Sequence, residues 1–277
     1  MAGKLDKKSP IGVFDSGIGG LSVLKQLLRF LPYEKYIYLG DTARVPYGNR
    51  SNEIVREYAA QCTKFLMNNE VKLIVVACNT VSSVALDAVI KQAGDIPVIG
   101  MIYPAAGAAL RASNNKKIGI IGTRATINSK AYEKGIVELA KNEKIEVLGK
   151  ACPLFVPLVE EGMTQHNVAK EVAEEYLLEL RDKKIDTLVL GCTHYPLLSQ
   201  LIGDIMPGVQ LIDSGEHAAV ASLRILAEHD ALDEERNEFI IKPEIKFYVT
   251  DLPALFFENA KRFLGFEVDA PDIAHLE

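Results

Sequence analysis

Hydrophobic residues follow two alternating patterns along the chain, short continuous runs and longer stretches with helical spacing. The helical spacing is clearest at residues 52–67, where apolar side chains recur every three or four positions. The short runs have the length of strands that are buried on both faces. Such an alternation is typical of a parallel sheet covered by helices on both sides, so the sequence predicts an α/β fold.

The pattern places elements in both halves of the chain and in its tail. Strands are predicted at Ile11–Asp15, Tyr36–Asp41, Leu73–Ala77, Pro97–Met101, Lys117–Gly122, Ile145–Gly149, Thr187–Gly191, Val209–Ile212 and Ile245–Thr250. Helices are predicted at Leu21–Phe30, Asn52–Met67, Val81–Gln92, Ala105–Ala112, Thr126–Ala140, Val168–Lys183, Leu197–Ile205, Glu216–Glu228 and Pro253–Phe263.

The two halves of the chain share this order of elements and two local motifs. Leu73–Thr80 (LIVVACNT) and Thr187–His194 (TLVLGCTH) each join a buried strand to a cysteine and then to polar residues that open a helix. The first strands also correspond, in Ile11–Gly17 (IGVFDSG) and Ile118–Thr123 (IGIIGT). We therefore expect two similar, pseudo-symmetric lobes that pack closely, each a mainly parallel sheet flanked by helices.

Composition and charge narrow the class of protein. A net charge of −6, without a block of Lys or Arg, argues against nucleic-acid binding, which depends on neutralising phosphates. The apolar stretch Ile96–Leu110 contains two prolines and is too short to span a bilayer, so no membrane partner is expected. Because the N-terminus MAGKLDKKSP lacks the apolar core of a signal peptide, we expect a cytoplasmic protein.

Small polar side chains and two cysteines are concentrated where the predicted strands end. In an open parallel sheet, ligands bind beyond the carboxyl ends of the strands, which meet at one edge. Many Asp, Ser and Thr residues at such positions only cap the helix that follows, but cysteine is a poor cap. The residues at this edge are Asp15, Ser16, Asp41, Thr42, Cys78, Asn79, Thr80, Thr123, Cys192, Thr193 and His194.

The four cysteines divide into two pairs by their sequence surroundings. Cys62 lies in the apolar stripe of a predicted helix and Cys152 precedes Pro153 in an irregular segment, so both are expected to be structural. Cys78 and Cys192 each stand between a strand and a helix, where free N–H groups and the helix dipole favour a thiolate. The dipole contributes at most about 2 kcal/mol, or about one and a half pKa units, so neighbouring groups must supply the rest.

His194 and Asp15 are the neighbours whose charge matters here. An imidazolium at His194, two residues beyond Cys192, would favour the thiolate or relay its proton. Asp15 would instead raise the pKa of a nearby thiol, and its useful roles are to accept the thiol proton or to hold a substrate ammonium group. Two thiols on facing lobes could remove a Cα proton on one side of a substrate and return one on the other, which inverts a stereocentre without a cofactor.

Several motifs, spread in order through most of the chain, together carry a family resemblance. They are GVFDSGIGGLSVL (Gly12–Leu24), YLGDTARVPYGNRS (Tyr38–Ser51), ACNTVSS (Ala77–Ser83), IGTRATI (Ile121–Ile127), CPLFVPLVEEG (Cys152–Gly162), LGCTHYPLL (Leu190–Leu198) and LIDSGE (Leu211–Glu216). In these segments the sequence resembles the cofactor-independent glutamate racemases of the aspartate/glutamate racemase superfamily. The end of the chain carries little of this resemblance.

The resemblance implies that the protein interconverts L- and D-glutamate by two-base proton transfer, with no cofactor and no metal, and that D-glutamate serves peptidoglycan synthesis. It implies that Cys78 and Cys192 are the proton-transfer thiols. Asp15 would assist Cys78, whereas Glu160 and His194 would assist Cys192. The implied substrate contacts, with Asp41 as a supporting residue, are Asp15, Ser16, Tyr47, Gly48, Asn79, Thr80, Thr123, Thr193 and His194.

The resemblance also implies an arrangement of domains. Residues 1–101 and 217–277 would form a discontinuous first lobe that carries Cys78, and residues 102–216 a second lobe that carries Cys192. The active site would lie between the two lobes. The oligomeric state stays open, with a homodimer as the candidate assembly.

Four other interpretations stay open from the sequence. An aspartate racemase of the same superfamily would share both cysteines and differ by one methylene in its substrate. A non-catalytic amino-acid-binding protein could use the same duplicated fold, although binding alone needs neither thiol. Cys192 and His194 with Cys78 could hold zinc, but the flanking Thr and Asn and the separation by a whole half-fold disfavour it. Asp15–Gly20 (DSGIGG) could bind phosphate, but it lacks the lysine of a P-loop.

Overall fold

The computed structural model describes residues 5–141, 143–233 and 243–276, which form two parallel sheets covered by helices. The strands are β1 (Ile11–Asp15), β2 (Tyr36–Gly40), β3 (Leu73–Val76), β4 (Val98–Ile99), β5 (Lys117–Gly122), β6 (Glu146–Ala151), β7 (Thr187–Gly191), β8 (Gln210–Asp213), β9 (Ile245–Val249) and β10 (Asp272–Ile273). The α-helices are α1 (Leu21–Phe30), α2 (Asn52–Asn68), α3 (Asn79–Val84), α4 (Leu86–Ala93), α5 (Ile102–Ala112), α6 (Arg124–Asn128), α7 (Ala131–Ala140), α8 (Phe155–Glu160), α9 (Asn167–Asp182), α10 (Ser199–Ile205), α11 (Ser214–Glu228) and α12 (Phe256–Leu264). Short 3₁₀ turns lie at Thr42–Arg44, Tyr47–Asn49 and Tyr195–Leu198.

Both sheets are built on the same strand order. Within the described residues the first sheet runs β10-β9-β2-β1-β3-β4 and the second runs β6-β5-β7-β8, with neighbouring strands parallel throughout. In each sheet, four strands therefore follow the order second, first, third, fourth. This agreement confirms the predicted pair of similar α/β lobes. The C-terminal strands β9 and β10 extend the first sheet.

The strand register brings the two candidate cysteines to equivalent places. The last pair of β1 with β3 is Phe14 with Val76, so two residues further on Ser16 is level with Cys78. The last pair of β5 with β7 is Gly122 with Gly191, so one residue further on Thr123 is level with Cys192. The repeat seen in the sequence is thus a repeat in three dimensions, with one thiol at the same position in each lobe.

Burial on both faces explains why the central strands are continuous apolar runs. All residues of β1, β2, β3 and β7 are buried. One hydrophobic cluster contains side chains of both lobes, among them Leu24 of α1 and Leu190 of β7, and α11 packs against both α1 and α5. The lobes are therefore closely packed, as the absence of a linker predicts.

None of the helices in the described part of the chain is both long enough and apolar enough to cross a membrane. Residues 1–4 of the polar N-terminal stretch lie outside the described residues.

Two helices that the periodicity predicts as single are each divided. The predicted helix Val81–Gln92 becomes α3 and α4, because Ala85 leaves the helical conformation at φ −139°. The predicted helix Thr126–Ala140 becomes α6 and α7, with Lys130 left-handed at φ 56°. There Ser129 Oγ accepts the first N–H of α7 at 3.1 Å, which lets the second helix start anew. Apolar spacing continues across both breaks, so the pattern does not reveal them.

Helix α8 is absent from the sequence-based prediction, because prolines obscure it. Pro153 precedes it and Pro157 lies within it. Pro157 is nevertheless in the first turn, where a backbone N–H has no partner inside the helix. The same argument explains why α5 begins at Ile102, before Pro104, rather than at the predicted Ala105.

Candidate active site

A cavity of about 390 Å³ lies between the two lobes at the carboxyl ends of their strands. Its size suits a small-molecule ligand. The predicted site residues that line it are Asp15, Ser16, Tyr47, Gly48, Cys78, Asn79, Thr80, Thr123, Glu160, Cys192, Thr193 and His194. The lining residues that the sequence analysis missed are Gly17, Val45, Pro46, Asn49, Arg124, Pro153, Val156 and Pro157. All of these belong to the motifs that carry the family resemblance, which is the signal that could have found them.

Cys78 lies two residues beyond the end of β3 and directly precedes α3, and only 5% of its surface is exposed. Its Sγ–H donates to Ser16 Oγ at 3.5 Å. Burial raises the pKa of this thiol to about 12, the charge of Asp15 adds to the increase, and the N–H of Val81 opposes it. Lost solvation therefore outweighs the helix N-terminus at Cys78, and Asp15 acts on the pKa of this thiol in the direction that the sequence analysis gave it.

Asp15 ends β1 and is 2% exposed. Its Oδ2 accepts the backbone N–H of Gly17 at 3.0 Å. Burial raises the pKa of this carboxyl, while the charge of His194 and the N–H groups of the following loop lower it. A carboxyl group with a raised pKa accepts a proton more readily than an ordinary aspartate. Asp15 therefore has the chemistry to take a proton from a neighbouring thiol.

Cys192, His194 and Glu160 form a row of interacting side chains on the second lobe. His194 Nδ1 lies 3.9 Å from Cys192 Sγ, and His194 Nε2 lies 2.8 Å from Glu160 Oε1. Burial lowers the pKa of His194, but its contacts with Cys192 and Glu160 raise it more, to about 10. The imidazole is thus positively charged at neutral pH, and that charge faces the sulfur atom of Cys192.

The glycine-rich segment after β1 lets the first lobe approach these groups. A β-carbon at Gly19 would overlap Thr193 Oγ1 and the imidazole of His194. Ser22 Oγ, at the start of α1, donates to the carbonyl oxygen of Thr193 at 2.7 Å. Close packing between lobes therefore explains the DSGIGG motif without a phosphate ligand.

Hydroxyl and amide groups form the cavity wall between the two cysteines. Thr80 Oγ1 and Thr123 Oγ1, one from each lobe, are 3.0 Å apart. Asn79 is held in place because its Oδ1 accepts the Tyr132 hydroxyl at 2.6 Å and its Nδ2 donates to Ser214 Oγ at 3.2 Å. These neutral groups are suited to bind carboxylates.

Asp41 lies behind the cavity wall, fully buried, and does not line the cavity. It accepts hydrogen bonds from the Tyr47 hydroxyl, from Arg44 Nε at 2.6 Å and from Thr250 Oγ1 at 2.9 Å. Burial and the charges of Cys62 and Asp41 raise the pKa of Tyr47 far above its ordinary value, so its hydroxyl stays neutral and donates. Asp41 thereby holds the turn that presents Tyr47 and Gly48 to the cavity. Its supporting role in activity stays a prediction.

All four cysteines are free and buried. Cys62 belongs to the core beneath α2 and Cys152 to the cluster that joins the lobes, as expected for structural residues. In residues 5–141, 143–233 and 243–276, no group of three or more His, Cys, Asp or Glu side chains is arranged to hold a metal ion.

Known proteins share this fold and these motifs. A model of the Asp/Glu/hydantoin racemase family matches residues 11–222. The glutamate racemase of Chlorobaculum parvum is 49% identical over 271 residues, which cover 98% of this chain and 97% of that protein. The crystal structure of glutamate racemase from Francisella tularensis in complex with D-glutamate has a TM-score of 0.90 and 43% identity, covering 98% of this chain and 99% of that one. Glutamate racemase from Thermus thermophilus in complex with β-chloro-D-alanine has a TM-score of 0.85 and 44% identity, covering 97% and 98%.

The duplicated lobes and these matches define an isomerase, an amino-acid racemase, as the motifs predict. The chain belongs to the Asp/Glu racemase family, among its glutamate racemases.

Proposed function

We propose that this protein interconverts L- and D-glutamate by two-base proton transfer at Cα, without a cofactor. The observation that carries the proposal is the equivalent register of Cys78 and Cys192 on facing lobes, with both thiols lining one cavity. Racemisation needs a proton acceptor and a proton donor on opposite faces of one carbon atom. The relatives at 43% and 49% identity are glutamate racemases, which supports glutamate as the substrate.

The cavity wall offers glutamate suitable partners for its three charged groups. The hydroxyls of Thr80, Thr123 and Thr193 and the amide of Asn79 are neutral donors for the two carboxylates. Neutral donors orient an anion without the strong attraction that would slow its release. The carboxylate of Asp15 complements the ammonium group.

In one direction of the reaction, Cys192 acts as the base. The imidazolium of His194, held by Glu160, stabilises negative charge on the Cys192 sulfur 3.9 Å away. The thiolate takes the Cα proton, and the electron pair of the broken C–H bond stays on the substrate, shared with its α-carboxylate. Cys78 is protonated at neutral pH, because its pKa is about 12, and it donates this proton to the opposite face. At the end of this step Cys192 is the thiol and Cys78 is the thiolate.

In the other direction, Cys78 acts as the base and must first lose its proton. Asp15 is the acceptor, since burial raises the pKa of its carboxyl. The ammonium group of the bound substrate adds positive charge near the sulfur, which offsets part of the cost of a buried thiolate. Cys192 takes a proton from the imidazolium of His194 and then donates it to the opposite face of Cα. The proton on Asp15 returns to His194 through solvent, which restores the starting state.

Turnover in D₂O tests this function. Each enantiomer of glutamate and of aspartate is incubated separately with the enzyme, circular dichroism follows the loss of handedness, and mass spectrometry follows deuterium at Cα. We expect both glutamate enantiomers to racemise, with one solvent deuterium in the inverted product. We expect kcat/KM for aspartate to be lower by about 10- to 100-fold, the usual discrimination for one methylene.

The other outcomes of this experiment separate the alternatives. Racemisation of aspartate alone would replace glutamate as the substrate. Binding of glutamate without exchange at Cα would indicate a binding protein, and activity lost to a chelator would indicate a metal site.

The cellular part of the proposal is that the enzyme supplies D-glutamate for peptidoglycan synthesis in the cytoplasm. A bacterial strain that requires D-glutamate should grow without supplement when it produces this protein. Continued dependence on D-glutamate, with the protein present and folded, would contradict that role.

The domain boundaries and the oligomeric state complete the proposal. The pairing of β9 with β2 supports a first lobe made of residues 1–101 and 217–277, and α5 with β5–β8 supports a second lobe of residues 102–216. A homodimer is the candidate assembly, and sedimentation equilibrium at several protein concentrations would decide between monomer and dimer.

A further inference from the structure

The C-terminal helix α12 reaches across to the second lobe, behind the half-site of Cys192. Arg262 Nη1 donates to the carbonyl oxygen of Glu160 at 2.8 Å and to that of Val159 at 3.3 Å. These carbonyls end α8, and a helix end leaves such groups without intrahelical partners. The next residue, Phe263, sets its ring edge-on to the imidazole of His194, with the ring centres 5.3 Å apart. One turn of α12 therefore contacts both members of the Glu160–His194 pair.

The Arg262 guanidinium is itself fixed on both sides. It donates to Asn259 Oδ1 and to Glu258 Oε1, the latter at 2.9 Å, within its own helix. On the side of α8 it occupies a slot beside Gly162, where a β-carbon would lie 2.6 Å from Arg262 Nη2. Gly162 has φ +71°, a conformation that also favours glycine. The glycine that ends the CPLFVPLVEEG motif thus both turns the chain and admits the arginine.

Glu160 needs such an anchor. Its side chain is 40% exposed, and it is the last residue of a helix of six residues. A helix this short has little stability of its own and depends on contacts made by its ends. If the end of α8 moved, the distance of 2.8 Å between Glu160 Oε1 and His194 Nε2 would lengthen.

We propose that Arg262 is a positioning residue for proton transfer at Cys192. It lies outside the cavity lining and acts through α8, holding Glu160 where its carboxylate meets His194. This inference rests on the proposed function, in which His194 and Glu160 serve the Cys192 thiol. It gives the C-terminal helix, outside the family motifs, a direct part in one half-site.

Several charged groups surround His194 and determine how its pKa changes when Arg262 is replaced. Cys192 faces Nδ1, Glu160 faces Nε2, and the carboxyl of Asp15 approaches from the first lobe. The ring of Phe263 covers one side without adding charge. If the Glu160 contact loosens, the imidazolium loses an anionic partner, and the pKa of His194 moves down from about 10.

The test compares Arg262→Ala and Arg262→Lys with Lys261→Ala as a matched control on the same helix. Lys261 is 61% exposed and pairs only with Glu267 among the interactions described for its side chain. Three quantities are measured: kcat and KM for both enantiomers of glutamate, the pH dependence of kcat, and the ¹⁵N NMR titration of His194. The His194→Gln spectrum identifies the imidazole signal.

Arg262→Ala is expected to lower kcat about 10- to 100-fold with little change in KM, because the misplaced group serves the chemical step. The pKa of His194 is expected to fall by about one unit, the worth of a hydrogen bond to a charged group. Arg262→Lys keeps the charge but has only one nitrogen, whereas Arg262 uses Nη1 for the carbonyls and Nη2 for Glu258, so it should restore part of both effects. Lys261→Ala should change neither.

A folded Arg262→Ala protein with an unchanged His194 titration would overturn the inference, even if its melting temperature fell. If that variant does not fold, Arg262→Met, which keeps the length of the side chain but donates no hydrogen bond to α8, carries the same comparison, and an unchanged titration in it overturns the inference equally. The NMR titration uses no substrate. It therefore judges Arg262 even if the wild-type protein fails to racemise glutamate, an outcome that would refute the proposed function alone.

Discussion

The half-sites around Cys78 and Cys192 share a backbone and differ in their acid–base partners. Each cysteine follows the third strand of its lobe and lies level with the residue that follows the first strand. Around Cys78 the partners are a hydroxyl and a buried carboxyl, those of Ser16 and Asp15. Around Cys192 the partner is the imidazole of His194.

The difference shows that a repeated fold places two sulfur atoms symmetrically while their neighbours decide which one holds a proton. Burial, reinforced by the negative charge of Asp15, raises the pKa of Cys78, whereas the positively charged imidazole of His194 faces the sulfur of Cys192. In the proposed mechanism these partners suit Cys78 to donate a proton and Cys192 to accept one, and the reverse direction requires a transfer to Asp15.

Replacing the sulfur atom of Cys78 or of Cys192 should cause the largest loss of activity. Cys78→Ser and Cys192→Ser are each expected to lower kcat/KM about 1,000-fold or more, because a hydroxyl exchanges protons far less readily than a thiol. Each variant keeps one working thiol, so in D₂O each should exchange the Cα proton of one enantiomer only, and of opposite enantiomers. Full activity in both variants would refute the roles of the thiols. Cys62→Ala, in the core, should retain activity per folded molecule.

Replacing the acid–base partner of either sulfur atom should lower kcat less than replacing the sulfur itself. The two replacements should act on different half-sites. Asp15→Asn and His194→Gln are each expected to lower kcat about 100-fold, the usual worth of a positioned acid or base. Asp15→Asn removes a negative charge and should lower the pKa of Cys78 below about 12. His194→Gln removes the positive charge that faces Cys192 and should lower kcat most for the enantiomer that Cys192 deprotonates. Ultraviolet titration follows Cys78 in Asp15→Asn, and turnover of each enantiomer follows both variants. If both variants slowed the same enantiomer more, the asymmetry would be contradicted.

The charge on His194 should also make folding stability depend on pH. The folded-state pKa of about 10 is above the unfolded value of about 6.5, so this contribution is complete below pH 6.5 and is lost as the pH rises through 10. The melting temperature of the wild-type protein should therefore fall more steeply over this interval than that of His194→Gln. Parallel curves for the two proteins would show that His194 is not charged in the folded state.

The smallest effect on activity is expected for the hydrogen bond between Tyr47 and Asp41 behind the cavity wall. Tyr47→Phe removes the hydroxyl that donates to Asp41, while Arg44 and Thr250 keep their bonds to the same carboxylate. The free energy of unfolding, measured in urea, should fall by about 1–2 kcal/mol. Since the phenol ring stays in place, kcat/KM should change less than about threefold. A large loss of activity would assign the Tyr47 hydroxyl to substrate binding.

Much of the fold and most of the cavity lining could be predicted from the sequence. Buried parallel strands read as uninterrupted apolar runs, and the polar residues after them converge at one edge, which is why Cys78 and Cys192 stood out. The break at Lys130 could not be predicted, since apolar spacing continues through it. The dominant cause of the raised pKa of Cys78 could not be predicted, because it depends on how deeply the three-dimensional fold buries the sulfur. The contact of Arg262 with Glu160 joins segments far apart in the chain and has no local signature.

The pairing of β9 with β2 has a consequence for how the protein is made. Tyr36, near the start of the chain, pairs with Ile245, near its end. A ribosome releases the N-terminal strands first, so β2 presents an unpaired edge until the last segment of the chain has emerged. An unpaired edge strand can form hydrogen bonds with a strand of another chain, which leads to aggregation. A prematurely terminated copy would therefore keep that edge exposed and be removed by aggregation or proteolysis, which ties the survival of each molecule to the completion of its synthesis.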